Sequence, residues 1–244
     1  MPLLEEMEAS GKKLFRWRSY IPLFFPVVLV SGLPYFHYPL GSHFLDQAWK
    51  VICLCVSFTG LAVRAMTIGA TPNRTSGRNT KEQVADRLNT TGMYSIIRNP
   101  LYLGNFLMVL GVMISLRVWW VPLIYILLFT LYYERIIFAE EMYLRRKFGS
   151  EYMNWASKTP AFVPRFSQWK APEVLFSWKK VLRREYHGVL AVVLAQFSIE
   201  VAGSYRVEGV FKFDLWWICL VSLTIVAYIV IRFLHKKTRI LKSG

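Results

Sequence analysis

Thr90–Gly104 reads TTGMYSIIRNPLYLG, and it marks the point where a polar, basic loop becomes an apolar run. Arg98-Asn99-Pro100 has the form of a helix start. Asn is a strong N-cap, and Pro at the first helical position lacks an N–H that would have no partner there anyway. The free backbone N–H groups and the positive end of the helix dipole form an anion seat, with Arg98 beside it. Tyr102, Leu103 and Gly104 follow within the first turns, and Gly104 allows a second backbone or a ligand to come close. Further on, the apolar run from Val118 ends in Arg135-Ile-Ile-Phe-Ala-Glu140-Glu141. Charged groups at such depth are costly to bury and mark a functional site.

Working outward, the rest of the chain divides into apolar runs with basic gaps between them. The runs are Tyr20–Tyr38, Phe44–Ile68, Pro100–Leu116, Val118–Ala139, His187–Ala202 and Phe213–Leu234. Most approach the roughly 20 residues that a span needs, so six spans are expected. Pro39-Leu40-Gly41-Ser42 turns between the first two. Lys81–Leu88 has the pattern of a short helix capped by Thr80, and only Arg117 separates the third and fourth runs. Glu140–Lys158 is amphipathic, with Tyr143, Leu144 and Phe148 set against Arg145, Arg146 and Lys147, and suits the membrane interface. The expected fold is all-α, a polytopic membrane helix bundle with an amphipathic interfacial helix. Residues 1–170 form its core of four spans, and residues 171–244 add two more.

Bulk composition agrees. Hydrophobic residues make up 55%, aromatics 16% and charged residues 18%, and the mean hydropathy is +0.34. Those values exclude an ordinary soluble domain. The net charge of +15 lies in the gaps between apolar runs, so membrane lipid rather than nucleic acid is the expected partner. Basic residues fill the N-terminus, the Thr71–Arg98 loop, the Arg145–Arg184 region and the tail, while the alternate connections carry few. Both termini and the Arg98 region are therefore expected on the cytoplasmic side. Cys53, Cys55 and Cys219 lie in apolar runs and read as small hydrophobes. The four His residues have no metal spacing, and no metal is expected. The first apolar run, broken by prolines, does not have the form of a cleavable signal peptide.

RNPLYLG, Arg135, Glu140-Glu141 and KFGSEYMNWASKTPAFVPRF resemble, in that order, the motifs of the isoprenylcysteine carboxyl methyltransferase family, itself similar to the membrane phospholipid N-methyltransferases. The likeness covers roughly residues 60–165, and it has one departure: Asn99 stands where the family has His. What it implies is an S-adenosyl-L-methionine-dependent membrane methyltransferase whose lipophilic substrate enters from the bilayer. By the same resemblance, Arg64, Arg135 and Glu140 serve the reacting end. Arg64 and Arg135 would grip a substrate carboxylate, for which the guanidinium fork is suited. Tyr94, Arg98, Asn99, Tyr102, Leu103, Gly104, Glu141 and Tyr152 would hold the cofactor.

Blander readings exist for each. Arg64 can snorkel to headgroups, Glu141 can pair with Arg145 one turn on, and the tyrosines can belong to an interfacial belt. Methyl transfer is an in-line displacement needing no covalent intermediate, so the lack of a nucleophile-base constellation is no objection. The acceptor stays open between a carboxylate, a lipid amine and a small thiol. An NADPH-dependent sterol-reductase-like enzyme and a non-catalytic lipid-binding relative are the rival classes.

Overall fold

The computed structural model describes residues 2–18, 24–38, 43–72 and 85–238. The turn expected at Pro39–Ser42 and the start of the first apolar run lie outside them. Eight α-helices and two short 3-10 turns are described: α1 Leu3–Trp17, α2 Phe25–Gly32, α3 His43–Gly69, α4 Met93–Ile96, α5 Pro100–Ser115, α6 Trp120–Ala156, α7 Trp178–Glu208 and α8 Leu215–Lys237. The described residues contain no strand.

Four helices, α3, α6, α7 and α8, are long and apolar enough to cross a membrane. The other two apolar segments are shorter, Phe25–Tyr35 and Pro100–Ser115. At 1.5 Å per residue the latter is about 24 Å long, against a hydrocarbon thickness of about 30 Å. Among the described residues, helix length alone therefore supports four spans and does not confirm six. Of the helix expected at Lys81–Leu88, the described residues 85–88 are not helical; Arg87 instead pairs with Glu173 at 2.9 Å.

Two boundaries also differ from the sequence pattern. The amphipathic stretch from Glu140 is not a separate interfacial helix. It continues α6 as far as Gly149, whose φ of 51° breaks the helical path. Residues 140–148 contain no Gly or Pro, so nothing stops the helix earlier. Likewise α7 begins at Trp178, because Ser177 caps it by accepting from the Lys180 amide at 3.3 Å. The basic patch is thereby drawn into the helix, where buried Lys180 donates to the Thr71 carbonyl.

Between membrane helices, close packing replaces the hydrophobic effect as the cohesive force. The α3–α5 pair shows how it is reached. A Cβ on Gly60 would fall 2.5 Å from the Gly104 carbonyl oxygen, and one on Gly111 2.5 Å from the Cys53 carbonyl oxygen. Ser57 donates to the Met108 carbonyl at 2.8 Å across the same seam. Against α5 lies α6, through a run of rings: Phe106–Phe129 at 5.1 Å, Phe129–Tyr133 at 4.0 Å and Tyr133–Tyr102 at 4.7 Å.

At one end of the bundle, charges from four elements meet. Lys50 lies 2.8 Å from Asp46, 2.7 Å from Glu200 and 3.0 Å from Asp214. Arg117, in the α5–α6 connection, bonds Asp46 and lies 3.0 Å from Glu200. Its φ is 62°, in the left-handed region, and its guanidinium sits 4.6 Å from the Phe36 ring centroid. The residue expected to be only a hairpin tip is thus the centre of a buried ion cluster.

Candidate active site at the Glu140 end

The opposite end is built around α6. α1, which the sequence presents as a charged leader, is an amphipathic helix laid along it. Gly11 lets α1 reach the backbone at Arg135, while Phe15 is buried. Arg135 donates to Ser10 Oγ at 2.9 Å, Tyr132 to the Leu14 carbonyl at 3.0 Å, and Arg146 to Glu8 at 2.6 and 3.0 Å. With Arg146 and Lys12 both bonded to it, the Glu8 carboxyl is held down at about 2. Just past α1, Arg18 lies 3.7 Å from Glu140.

The segment 92–99 is fastened by the proline-rich loop that follows α6. The Gly92 amide donates to the Lys170 carbonyl, the Arg98 amide to Pro160 and the Arg165 amide to Ile96, each at 2.9 Å. Trp155 Nε1 donates to the Tyr94 carbonyl at 3.1 Å. Asn99 occupies the N-cap position of α5 but makes no side-chain cap; its Nδ2 donates to the Ala161 carbonyl at 3.2 Å instead. The loop carbonyl competes for the side chain that would otherwise cap the helix.

This strap delivers Arg98 to Glu141, with Nε and Oε1 3.1 Å apart, and Arg98 Nη1 donates to the Ala156 carbonyl at 3.3 Å. The Tyr152 hydroxyl, brought round by the break at Gly149, faces the same carboxylate. Buried though they are, Arg98 Nε, Glu141 Oε1 and Tyr152 OH have no aligned hydrogen-bond partner. Groups of this kind carry a desolvation cost that a polar ligand would offset, and the same shortfall occurs elsewhere, at Arg117 and Gln196.

Glu140, the preceding residue, is turned to Tyr102 and Arg18 instead. Tyr102 sets its hydroxyl against the Glu140 carboxylate, and Tyr133 sets its own against Asn105. Asn105 accepts from Arg64 Nη1. Arg64 then completes a two-point pair with Glu185 of α7, Nε to Oε2 at 2.8 Å and Nη2 to Oε1 at 2.7 Å. A polar line therefore crosses the bundle from Glu185 through Arg64, Asn105 and Tyr133 to Tyr102, Glu140 and Arg18.

The expected residues thus separate. Arg98, Glu141 and Tyr152 come together; Tyr102 and Glu140 form a second pair beside them. Arg64 reaches this second group through Asn105 and Tyr133. Arg135 does not join Arg64 but fastens α1. Gly104 faces α3, where its missing Cβ leaves room for the Arg64 stem, since a Cβ there would lie 2.4 Å from Arg64 Cγ. Leu103 packs on Met93, Ile96 and Ile97, and Tyr94 offers its carbonyl to Trp155. Arg18, Asn105, Tyr133 and Glu185 are additions. Glu185 carried a signal, as a carboxylate at the head of an apolar run. No group of three or more His, Cys, Asp or Glu among the described residues could hold a metal ion.

Residues 47–151 match the family model described as phospholipid methyltransferase. The nickel-cobalt-cadmium resistance protein NccN of Alcaligenes xylosoxydans xylosoxydans is 38% identical over 96 residues, covering 39% of this chain and 42% of that protein. The cobalt-zinc-cadmium resistance protein CzcN of Cupriavidus metallidurans is 37% identical over 81 residues, 33% of this chain and 37% of that one. A protein-S-isoprenylcysteine O-methyltransferase of Schizosaccharomyces pombe is 32% identical over 75 residues, 31% of this chain and 32% of that protein. The matches thus span well under half the length of these relatives. No solved structure gives a significant match.

Proposed function

We propose that this chain, whose residues 47–151 carry the phospholipid methyltransferase match, is an integral-membrane methyltransferase using S-adenosyl-L-methionine on a lipophilic acceptor from the bilayer. Carboxyl O-methylation of an isoprenylcysteine-like acceptor is the leading reaction. One observation carries this reading: two consecutive carboxylates serve two neighbouring sites. Glu141 faces the strapped Arg98 segment with its orphaned polar atoms, and Glu140 faces the aromatic wall of α5 and α6.

The residues present fit the cofactor. Arg98, ion-paired with Glu141 through Nε, suits a carboxylate at its guanidinium, and Glu141 and Tyr152 OH suit ribose hydroxyls or an ammonium group. When bound, S-adenosyl-L-methionine supplies a methyl group on a positively charged sulfur. On the acceptor side, Arg64 is held by Asn105 with its Nε and Nη2 turned to a carboxylate, which shows the grip an acidic acceptor needs. A carboxylate nucleophile needs no base. An amine acceptor would have to lose a proton first, and Glu140 stands where it can take one. Arg18 beside Glu140 balances its charge.

Both described chain ends support a common side for the termini. α1 lies along the Glu140 end, and His235 near the end of α8 comes within 6.3 Å of the Tyr186 ring, one residue past Glu185. The positive-inside pattern makes that side cytoplasmic.

Calorimetry of the detergent-purified protein with S-adenosylhomocysteine and with NADPH tests the class. Micromolar binding of the first alone is expected. Binding of NADPH alone overturns the reading in favour of a reductase, and binding of neither in favour of a non-catalytic relative. Methyl transfer to an S-prenylcysteine, to phosphatidylethanolamine and to a small thiol then identifies the acceptor.

A further inference from the structure

Arg64 already holds a carboxylate in the geometry an acidic acceptor would use. Its Nη1 is anchored by Asn105, while the Nε–Nη2 edge meets both oxygens of Glu185. That carboxylate comes from α7, outside the matched residues 47–151 that contain Arg64 and Asn105. Glu185 is also the sole carboxylate lining a groove of about 320 Å³ between α3, α7 and α8, whose walls include Phe58, Leu61, Val189 and Ile231. The C-terminal helices thus bring an anion to the acceptor arginine and front it with an apolar cleft.

We propose that Glu185 is a specificity-determining residue: a built-in competitor that an acidic acceptor must replace on Arg64. This rests on the carboxylate-acceptor reading above. Removing one partner of a buried Arg–carboxylate pair strands the other charge, which is strongly unfavourable. Exchange of one carboxylate for another strands nothing on Arg64. Asn105 holds the guanidinium plane while the other edge changes partner, and Glu185, displaced towards an apolar groove, gives up its own pairing at a cost that sets the threshold. A ligand with the same tail but no negative head cannot make the exchange, so Glu185 raises the threshold for every acid and leaves neutral ligands excluded from Arg64. The result is selection by charge rather than by fit.

The test uses the full chain in lipid nanodiscs with an N-acylated S-prenylcysteine as acceptor and its neutral amide as competitive inhibitor. Glu185→Gln is expected to lower the KM of the acid by about tenfold or more, moving kcat less, because the competitor is gone. The Ki of the amide and the affinity for S-adenosylhomocysteine should each stay within about threefold. A merely structural role for Glu185 would move acid and amide together, and that outcome overturns the proposal. So does an unchanged or raised KM for the acid. If the Gln variant does not fold, Glu185→Asp, one methylene shorter, is expected to lower the acid KM by a smaller factor; no change there overturns the proposal too. A wild-type chain that methylates phosphatidylethanolamine or a thiol but no acid overturns the carboxylate reading, and the competitor role with it.

Discussion

The two ends of the bundle both bury charge, and they treat it in opposite ways. At the Arg117 end, three carboxylates and two cations meet at bonding distance, each cation touching at least two carboxylates, although Arg117 Nε and Nη1 have no hydrogen-bond partner. At the Glu140 end, Arg98 Nε, Glu141 Oε1 and Tyr152 OH are buried without an aligned partner. A dense cluster of ion pairs in low dielectric fixes one arrangement of helices; a sparser group of buried polar atoms is costly unless something else completes it. On the proposed function, the first end holds the helices together and the second receives a ligand.

The sharpest way to break this contrast is to open the ion cluster. Arg117→Ala would leave Asp46 and Glu200 short of a cation, at a cost of about 3–5 kcal/mol, and the variant is expected to lose its cooperative melt in detergent. A melt near the wild-type value would show that the cluster contributes little to cohesion.

At the Glu140 end the same kind of truncation should spare folding and cost binding. Glu141→Ala is expected to weaken S-adenosylhomocysteine by about tenfold or more, roughly 1.4 kcal/mol, with a near-normal melt. Tyr102→Ala should also weaken it, while Glu140→Ala lowers kcat more than it lowers affinity. Equal losses of affinity in all three would show that the two carboxylates do not serve separate sites.

Much of this arrangement was legible in the residues themselves. Hydropathy alone located the long helices, because length and apolar composition are local properties. The family resemblance grouped Arg98, Glu141 and Tyr152 with five other residues as a cofactor set, and these three do lie together. The Glu185–Arg64 pair was not legible, since it joins residues 121 apart in the chain, and no local pattern reports a partner chosen by packing. Only the charge of the α1 segment was read, although Leu3, Leu4, Met7, Gly11 and Phe15 recur at helical spacing. Arg117 read as a turn because it stands alone between two apolar runs; Asp46, Lys50 and Glu200, charged residues inside spans, were the overlooked hint.

Smaller effects refine the picture. Asn99→His should leave affinity for S-adenosylhomocysteine within about tenfold, because a ring N–H can take over the bond to the Ala161 carbonyl. If the imidazole also serves the chemical step, turnover should rise and gain a pH dependence near about 6.5. A complete loss of binding would mean that the strapped segment depends on Asn itself.

The slightest expected change is at Glu8. Its pKa is depressed to about 2 by Arg146 and Lys12, so its contribution to holding α1 is full above the ordinary carboxylate range. It fades as the pH falls through that range towards about 2. Proteolytic cleavage at α1 should become faster over that interval and with added salt, since its partners Lys12 and Arg146 are exposed. A cleavage rate flat in both pH and salt would show that α1 is held by Phe15 and the Gly11 contact alone.

The glycine seam between α3 and α5 has a mechanical consequence. Backbones that touch through Gly60, Gly104 and Gly111 cannot slide without collision, because the carbonyls of one helix already fill the notches of the other. The pair therefore behaves as a single stiff spar that carries Arg64 and Asn105 with it. Any breathing that admits a lipid to Arg64 is left to the partners whose contacts are not backbone on backbone: the α7 glycines Gly188 and Gly203 meet side chains, which can yield, and α8 is exposed along most of its length.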